Sequence, residues 1–258
     1  MKVVYANDHG GICNNIKCYL SASRIALAEG AEVWTNSRIL NLVFSDIKFT
    51  EKFNKENKII NDWRLMVLDE DNIPEGFTKS KDSMLFPGID LLKRNIDFEY
   101  ERIPKEIRKT YLQLLKKMKI KNDLLQIVES FSEKYFDNNI ISVHMRTWLS
   151  DDWQIASRRH KHFFSYEKFI AAIKQIDSNS NIFLSCDNKI YTKKMKMEFN
   201  SRIIVFDEFK AIDLSPQERA FINLLLLAKN KSLIGSRAST FSEMAWWYSD
   251  CTSNVNII

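Results

Sequence analysis

The alternation that begins at Asn139 constrains this chain more than any other feature. Short apolar runs over 140–145, 182–186, 202–206 and 232–234 are separated by stretches of helical periodicity over 166–176, 189–199, 216–229 and 240–248. Apolar residues at three- and four-residue spacing bury one face of a helix, whereas a short continuous run suits a strand covered on both sides. A strand joined to the next through a helix returns in the same direction, so the pattern predicts an α/β fold with a parallel, doubly wound sheet. Helix starts are marked as well. Ser165 precedes one helix; Ser215, Pro216 and Glu218 supply an N-cap, a first-position proline and a capping-box acid for another.

The first part of the chain shows the same pattern once. Residues 2–6 read as a strand and Asn7-Asp8-His9-Gly10-Gly11 as a turn. A helix follows from Asn14, with Ile16, Tyr19, Leu20, Ala26 and Leu27 on one face. Gly30 suits the helix end, where a left-handed residue closes the last turn, and 32–34 reads as a second strand. The middle is less regular: loops over 50–62 and 69–82, a strand over 63–68, and two helices within 105–136 broken near Asn122. A chain of 258 residues has room for one large domain or two small ones. The expected division is one Rossmann-like half over 1–130 and a second over 131–258, the boundary falling between Asn122 and Asn139.

Charge and composition narrow the ligand. A net charge of +5 suits a polyanion. The chain lacks the interleaved aromatic and basic residues that read nucleic acid, so no nucleic-acid partner is expected. The longest apolar run, 222–228 with Asn223 inside it, is too short to span a bilayer. The first six residues lack the charged and long apolar parts of a secretory signal. Between Pro104 and Lys121 stand seven Lys or Arg and one Glu. A basic helix over 105–121 is either a solvated face or a peripheral contact for an acceptor or membrane surface. Cys13, Cys18, Cys186 and Cys251 show no CxxC spacing; they are expected to be reduced, buried thiols in a cytoplasmic protein. Four histidines without HxxxH spacing lead to the expectation of no metal site.

Four constellations carry possible chemistry. Gly10-Gly11-Ile12-Cys13-Asn14-Asn15 joins a strand to a helix, where glycines either admit a ligand to the helix N-terminus or close a tight turn. His144-Met145-Arg146-Thr147-Trp148 stands at the carboxyl end of a predicted strand, the place where parallel sheets bind ligands. Strand alternation sends His144 and Arg146 to one side if the strand persists that far, and the arginine either forks onto phosphate oxygens or is solvated or salt-bridged. Ser236-Arg237-Ala238-Ser239-Thr240-Phe241-Ser242 follows the strand ending at Ile234 and Gly235; its hydroxyls either cap a helix or help its free N–H groups hold phosphate. Asp151 and Asp152 are either solvated loop acids or the base for an acceptor hydroxyl. Arg158, Arg159, His160, Lys161 and His162 follow as a basic loop, solvated or facing an acidic partner. Trp246 and Trp247 read as core.

In this order the segments resemble the GDP-fucose-dependent fucosyltransferase superfamily, which includes α-1,6-, α-1,2- and protein O-fucosyltransferases. Members open with a Gly-Gly-x-Gly-Asn turn, matched by Gly10-Gly11-Ile12-Cys13-Asn14 except at Cys13. Their second half carries a His-x-Arg strand end, as in His144-Met145-Arg146, then a strand ending in Ser-Asp or Thr-Asp, loosely matched by Ser185-Cys186-Asp187. A helix, a short strand and a Ser-Phe-Ser-type helix start close the series, as in Leu233-Ile234-Gly235 and Ser239-Thr240-Phe241-Ser242. The resemblance implies a GT-B-like fold, two Rossmann-like halves with mainly parallel sheets facing across a cleft. It implies inverting, metal-independent transfer of fucose from GDP-fucose to a glycan or glycoconjugate hydroxyl, with no cofactor beyond the donor. By the same resemblance Arg146 is catalytic, and Gly10, Gly11, Asn14, His144, Asp187, Asn223, Ser239, Thr240, Phe241 and Ser242 join it around the donor. Asn223 stands where α-1,6-type enzymes read guanine with an acid, and an amide lacks that charge. Gln154 stands where they carry a Glu eight residues past the arginine, which leaves Asp151, Asp152 or an acid such as Asp8 as base. The rival readings are a transferase using another nucleotide-sugar and a non-catalytic nucleotide- or glycan-binding protein.

Overall fold

The computed structural model describes residues 2–61, 66–67, 78–79, 84–85, 105–149, 160–206, 213–237 and 239–258. The chain divides into two units, Met1–Leu125 with Pro216–Phe221, and Gln126–Ser215 with Ile222–Ile258.

In the first unit β1 (Val3–Ala6) lies between β2 (Glu32–Thr35) and β3 (Lys58–Ile60), all parallel. Helix α1 (Ile12–Glu29) begins at Gly11, slightly ahead of the expected start, and ends at Gly30, whose φ of +60° suits glycine and whose N–H bonds to Ala26 O. Its Cys18, Ala22, Ile25 and Ala26 pack with Val4, Ala6 and Ile60 into one core. β3 corrects the loop expected over 50–62: its two isoleucines are hidden among Lys and Asn, yet Ile60 pairs with Ala6 and is buried. Helix α2 (Arg38–Val43), capped by Ser37 Oγ accepting from Leu40 N, was not foreseen either. β4 (Met66–Val67), β5 (Thr78–Lys79) and β6 (Met84–Leu85) make a small antiparallel sheet in the order β4-β6-β5. β5 corrects the loop read over 69–82, of which the other residues lie outside the described ones. Helices α3 (Lys105–Lys117) and α4 (Asn122–Tyr135) break where expected. Of α3's basic side chains Lys109, Lys116 and Lys117 are exposed, whereas Arg108 is buried.

The second unit holds five parallel strands in the order β11-β10-β7-β8-β9. These are β7 (Ile141–Met145), β8 (Ile182–Cys186), β9 (Ile203–Ile204), β10 (Ser232–Gly235) and β11 (Asn254–Ile257). The helices are α5 (Tyr166–Lys174), α6 (Lys189–Phe199), α7 (Pro216–Ala228) and α8 (Thr240–Tyr248). α7 begins in the first unit and ends in the second. Val143, Met145, Ile182, Leu184 and Ile234 of the strands pack on Phe169 and Ile173 of α5 and Met195 and Phe199 of α6. Phe131 makes edge contacts with Phe183 at 6.0 Å and Phe206 at 5.3 Å, and Trp246 and Trp247 are buried, as expected of core.

Strand order places the site. The chain builds β7, β8 and β9 outward in one direction and then returns to lay β10 on the other side of β7. Loops leaving the carboxyl ends at such a reversal part to opposite faces, and ligands of doubly wound sheets bind there. His144–Arg146 and Gly235–Ser236 leave the sheet at this point.

Candidate active site

One serine joins the two strand ends. β7 and β10 pair through Ser142 with Leu233 and Val143 with Ile234. Beyond that pairing, Ser236 Oγ donates to His144 O at 3.0 Å and accepts from Arg146 N at 2.6 Å. The hydroxyl thus continues the ladder where backbone partners run out. Ser236 N in turn donates to Ser242 Oγ, 3.0 Å away in the first turn of α8. That same oxygen lies 2.7 Å from His144 Nδ1. Close approach is possible because residue 235 is glycine: a Cβ there would stand 3.0 Å from both Cβ and Oγ of Ser242 and 2.8 Å from Ile257 Cδ1.

His144 is buried, and its ring stacks on Phe241 at 4.7 Å and 27°. Burial first, and the Arg146 charge second, push its pKa down from 6.5 to about 3. The imidazole is therefore neutral at physiological pH. Ser242 Oγ already accepts from Ser236 N; when its own hydrogen goes to Nδ1, the imidazole hydrogen is left on Nε2. The same shift makes stability depend on pH. Between pH 6.5 and about 3 the unfolded chain binds a proton that the folded chain does not. Stability is then lost as pH falls through that window, by up to ~1.4 kcal/mol per pH unit from this group. Urea titrations at pH 7 and 4.5 should show a smaller pH effect in His144→Asn than in the wild type; equal effects would dismiss the assignment.

Arg146 is not placed by strand alternation, because β7 ends at Met145. His144 turns to Ser242, whereas the Arg146 Nη1 donates to Asp187 Oδ2, 2.5 Å away at the end of β8. Asp187 Oδ1 accepts from Thr147 N and from Thr147 Oγ1, each at 2.8 Å. Asp187 thus orients the arginine and the turn behind it. Trp148 follows at φ +57°, with Arg146 Cζ 5.1 Å from its ring centroid. Aspartate and indole hold the guanidinium while its side chain stays 40% exposed, and only one of its five N–H donors goes to Asp187.

Ser239 is buried at the N-cap of α8 but makes no side-chain capping bond. Of the two readings open for this segment, the plain cap is therefore not what the structure shows at Ser239. Thr240 and Phe241 are half-buried in the same turn. Asn223 is buried on α7. Asp151, Asp152, Gln154, Arg158 and Arg159 lie outside the described residues.

Gly10, Gly11 and Asn14 belong to the first unit. Gly10 takes φ +71°. The turn is locked by buried Asn15: Oδ1 accepts from His9 N at 3.0 Å, and Nδ2 donates to Gly10 O and Gly11 O at 3.0 and 3.1 Å. Asn14 is half-buried with Nδ2 3.5 Å from the space a Gly10 Cβ would take. Asp8 is exposed, and its N–H donates to Asn36 Oδ1 at 2.7 Å.

Ser236, Thr147 and Asn15 were missed as organisers of these turns. Only Ser236 carried a signal, as the first hydroxyl after a strand-ending glycine. None of the four cysteines is in a disulfide; Cys13, Cys18 and Cys251 are buried, but Cys186 is half-buried, contrary to expectation. Among the described residues no group of three or more His, Cys, Asp or Glu could hold a metal ion, and no helix is long and apolar enough to cross a membrane.

No family model matches the sequence, and no curated protein matches it. Solved structures do. NodZ alpha-1,6-fucosyltransferase soaked with GDP-fucose matches with a TM-score of 0.57 at 14% identity, over 96% of this chain and 92% of that one; NodZ comes from Bradyrhizobium. POFUT1 in complex with GDP matches at 0.56 and 10% identity, over 99% of this chain and 98% of that one. A single-residue variant of Arabidopsis thaliana FUT1 in complex with GDP matches at 0.56 and 11%, over 99% and 70%. The chain has the fold of these proteins, as its sequence motifs led us to expect.

Proposed function

We propose that this chain is an inverting, metal-independent glycosyltransferase that moves fucose from GDP-fucose to a hydroxyl of a glycan or glycoconjugate. One observation supports this reading above the rest. A half-exposed guanidinium and a helix start without a side-chain cap at Ser239 stand on neighbouring strands at the reversal of the sheet, linked through Ser236. Both features favour the binding of a diphosphate.

The acceptor oxygen attacks the anomeric carbon as the bond to the GDP oxygen breaks, and GDP leaves with the electron pair. The proton of the acceptor hydroxyl passes to a base, for which Asp151 and Asp152 are the candidates. Negative charge grows on the diphosphate as the sugar becomes cationic. The Arg146 fork, the N–H groups at the start of α8 and the Nε2–H of neutral His144 are the groups offered to that charge. In this reading they take the place of a metal ion. We place the reaction in the cytoplasm, where the four thiols stay reduced. The exposed lysines of α3 are the proposed peripheral surface for membrane or acceptor.

A thermal-shift panel without added metal tests the donor. GDP and GDP-fucose should raise the unfolding midpoint, since a ligand at a hundredfold excess over its Kd stabilises by about 2.7 kcal/mol. UDP or ADP should not match them. A stronger shift with UDP or ADP would mean that Asn223 accompanies another base, and no shift with any of the four would refute the reading.

A further inference from the structure

The Thr147–Trp148 peptide has a second anchor. His160, in the helical turn over 160–163, has Nδ1 2.6 Å from Thr147 O. A carbonyl only accepts, so this nitrogen carries the hydrogen and donates it. The carbonyl belongs to the peptide plane that precedes Trp148, and Trp148 holds φ +57°, a conformation that side chains larger than glycine rarely adopt. Such a conformation persists only where its surroundings over-determine it. Asp187 fixes Thr147, the residue before that plane, through its N and Oγ1; His160 fixes the oxygen of the plane itself. The indole so placed is the face beside which the Arg146 guanidinium lies. His160 itself is steadied by Phe164 and Tyr191, with ring centroids 5.2 and 6.2 Å away.

We infer that His160 is a positioning residue for Arg146: by donating to Thr147 O it sets the Trp148 platform and so aims the guanidinium at the diphosphate. This rests on the donor-site reading above. The role requires the Nδ1 donor and not merely an aromatic ring. His160→Phe keeps the ring and removes the donor. His160→Asn removes the ring and places an amide N–H near the position of Nδ1.

The test is calorimetric GDP binding to the full chain, in His160→Phe, His160→Asn, Arg146→Ala and the double variant Arg146→Ala/His160→Phe, each checked for a native unfolding transition. His160→Phe should weaken GDP about tenfold, since small misplacements of a binding group carry such costs. His160→Asn should stay within about threefold of wild type, the donor being retained. With Arg146 already removed, His160→Phe should change affinity less than about twofold, the mark of coupling through that side chain. Wild-type affinity in His160→Phe, or losses that simply add in the double variant, would overturn the inference. A loss in His160→Asn as large as in His160→Phe would show that packing alone is at stake, with the same result; where one of the two fails to fold, the other decides, since wild-type affinity in His160→Phe or a loss well beyond about threefold in His160→Asn overturns the inference by itself. A wild-type chain that binds no GDP overturns the donor-site reading, and this inference with it.

Discussion

Arg146→Ala is expected to slow release of GDP from GDP-fucose by about 10²–10³-fold, the usual cost of removing one preorganised donor to a developing negative charge. Acceptor-free hydrolysis is a sufficient assay, because the same bond breaks. The fold should survive. The lost ion pair is half-exposed, and such pairs contribute about 0–1 kcal/mol. Asp187 keeps both Thr147 donors. Arg146→Lys should fail nearly as badly, since an ammonium neither forks onto two oxygens nor lies flat on an indole. Near-normal GDP release by the alanine variant would remove the basis for the mechanism.

Gly235→Ala is the second large effect, and it acts on structure first. The added Cβ would meet a terminal methyl of Ile257 at 2.8 Å and both Cβ and Oγ of Ser242 at 3.0 Å. A terminal methyl can swing aside; a helix residue's Cβ moves only with its backbone. Overpacking of this kind costs about 1–3 kcal/mol, which lowers the unfolding midpoint by about 2–10 °C in a chain of this size. The push also reaches the bonds from Ser242 to Ser236 N and His144 Nδ1, so GDP affinity should fall with it. Adding Ile257→Val should recover little if Ser242 is the neighbour that resists. Full recovery, or an unchanged midpoint in Gly235→Ala itself, would contradict this account.

The second unit was legible where local chemistry marks the element ends. The reading of 189–199 coincides with α6, whose start is held by Asn188 Oδ1 accepting from Ile190 N and Tyr191 N. The reading of 240–248 coincides with α8. β11 was not legible, because Asn254 and Asn256 alternate with apolar residues along a short edge strand that exists only through pairing with β10. β3 escaped for the same reason: Lys58–Ile60 becomes a strand by meeting Val4–Ala6, far away in sequence. The strand-end rule singled out His144 and Arg146, and a helix-start pattern singled out Ser239–Ser242. Their organisers could not be read so. Ser236 meets Arg146 and His144 across 90 and 92 positions. Asp187 was read as a donor-binding residue; its bonds to Arg146 and Thr147 are a further feature that its place in the sequence did not show.

The linkage between β7, β10 and α8 consists of hydroxyls, peptide groups and an imidazole that carries no charge. Added electrolyte screens ions far more than neutral dipoles. The ion pair of Arg146 with its aspartate lies outside those bonds. A donor site of the kind proposed, built on this junction, would release an anionic ligand into concentrated brine and still keep its shape, ready to refill when the salt is removed.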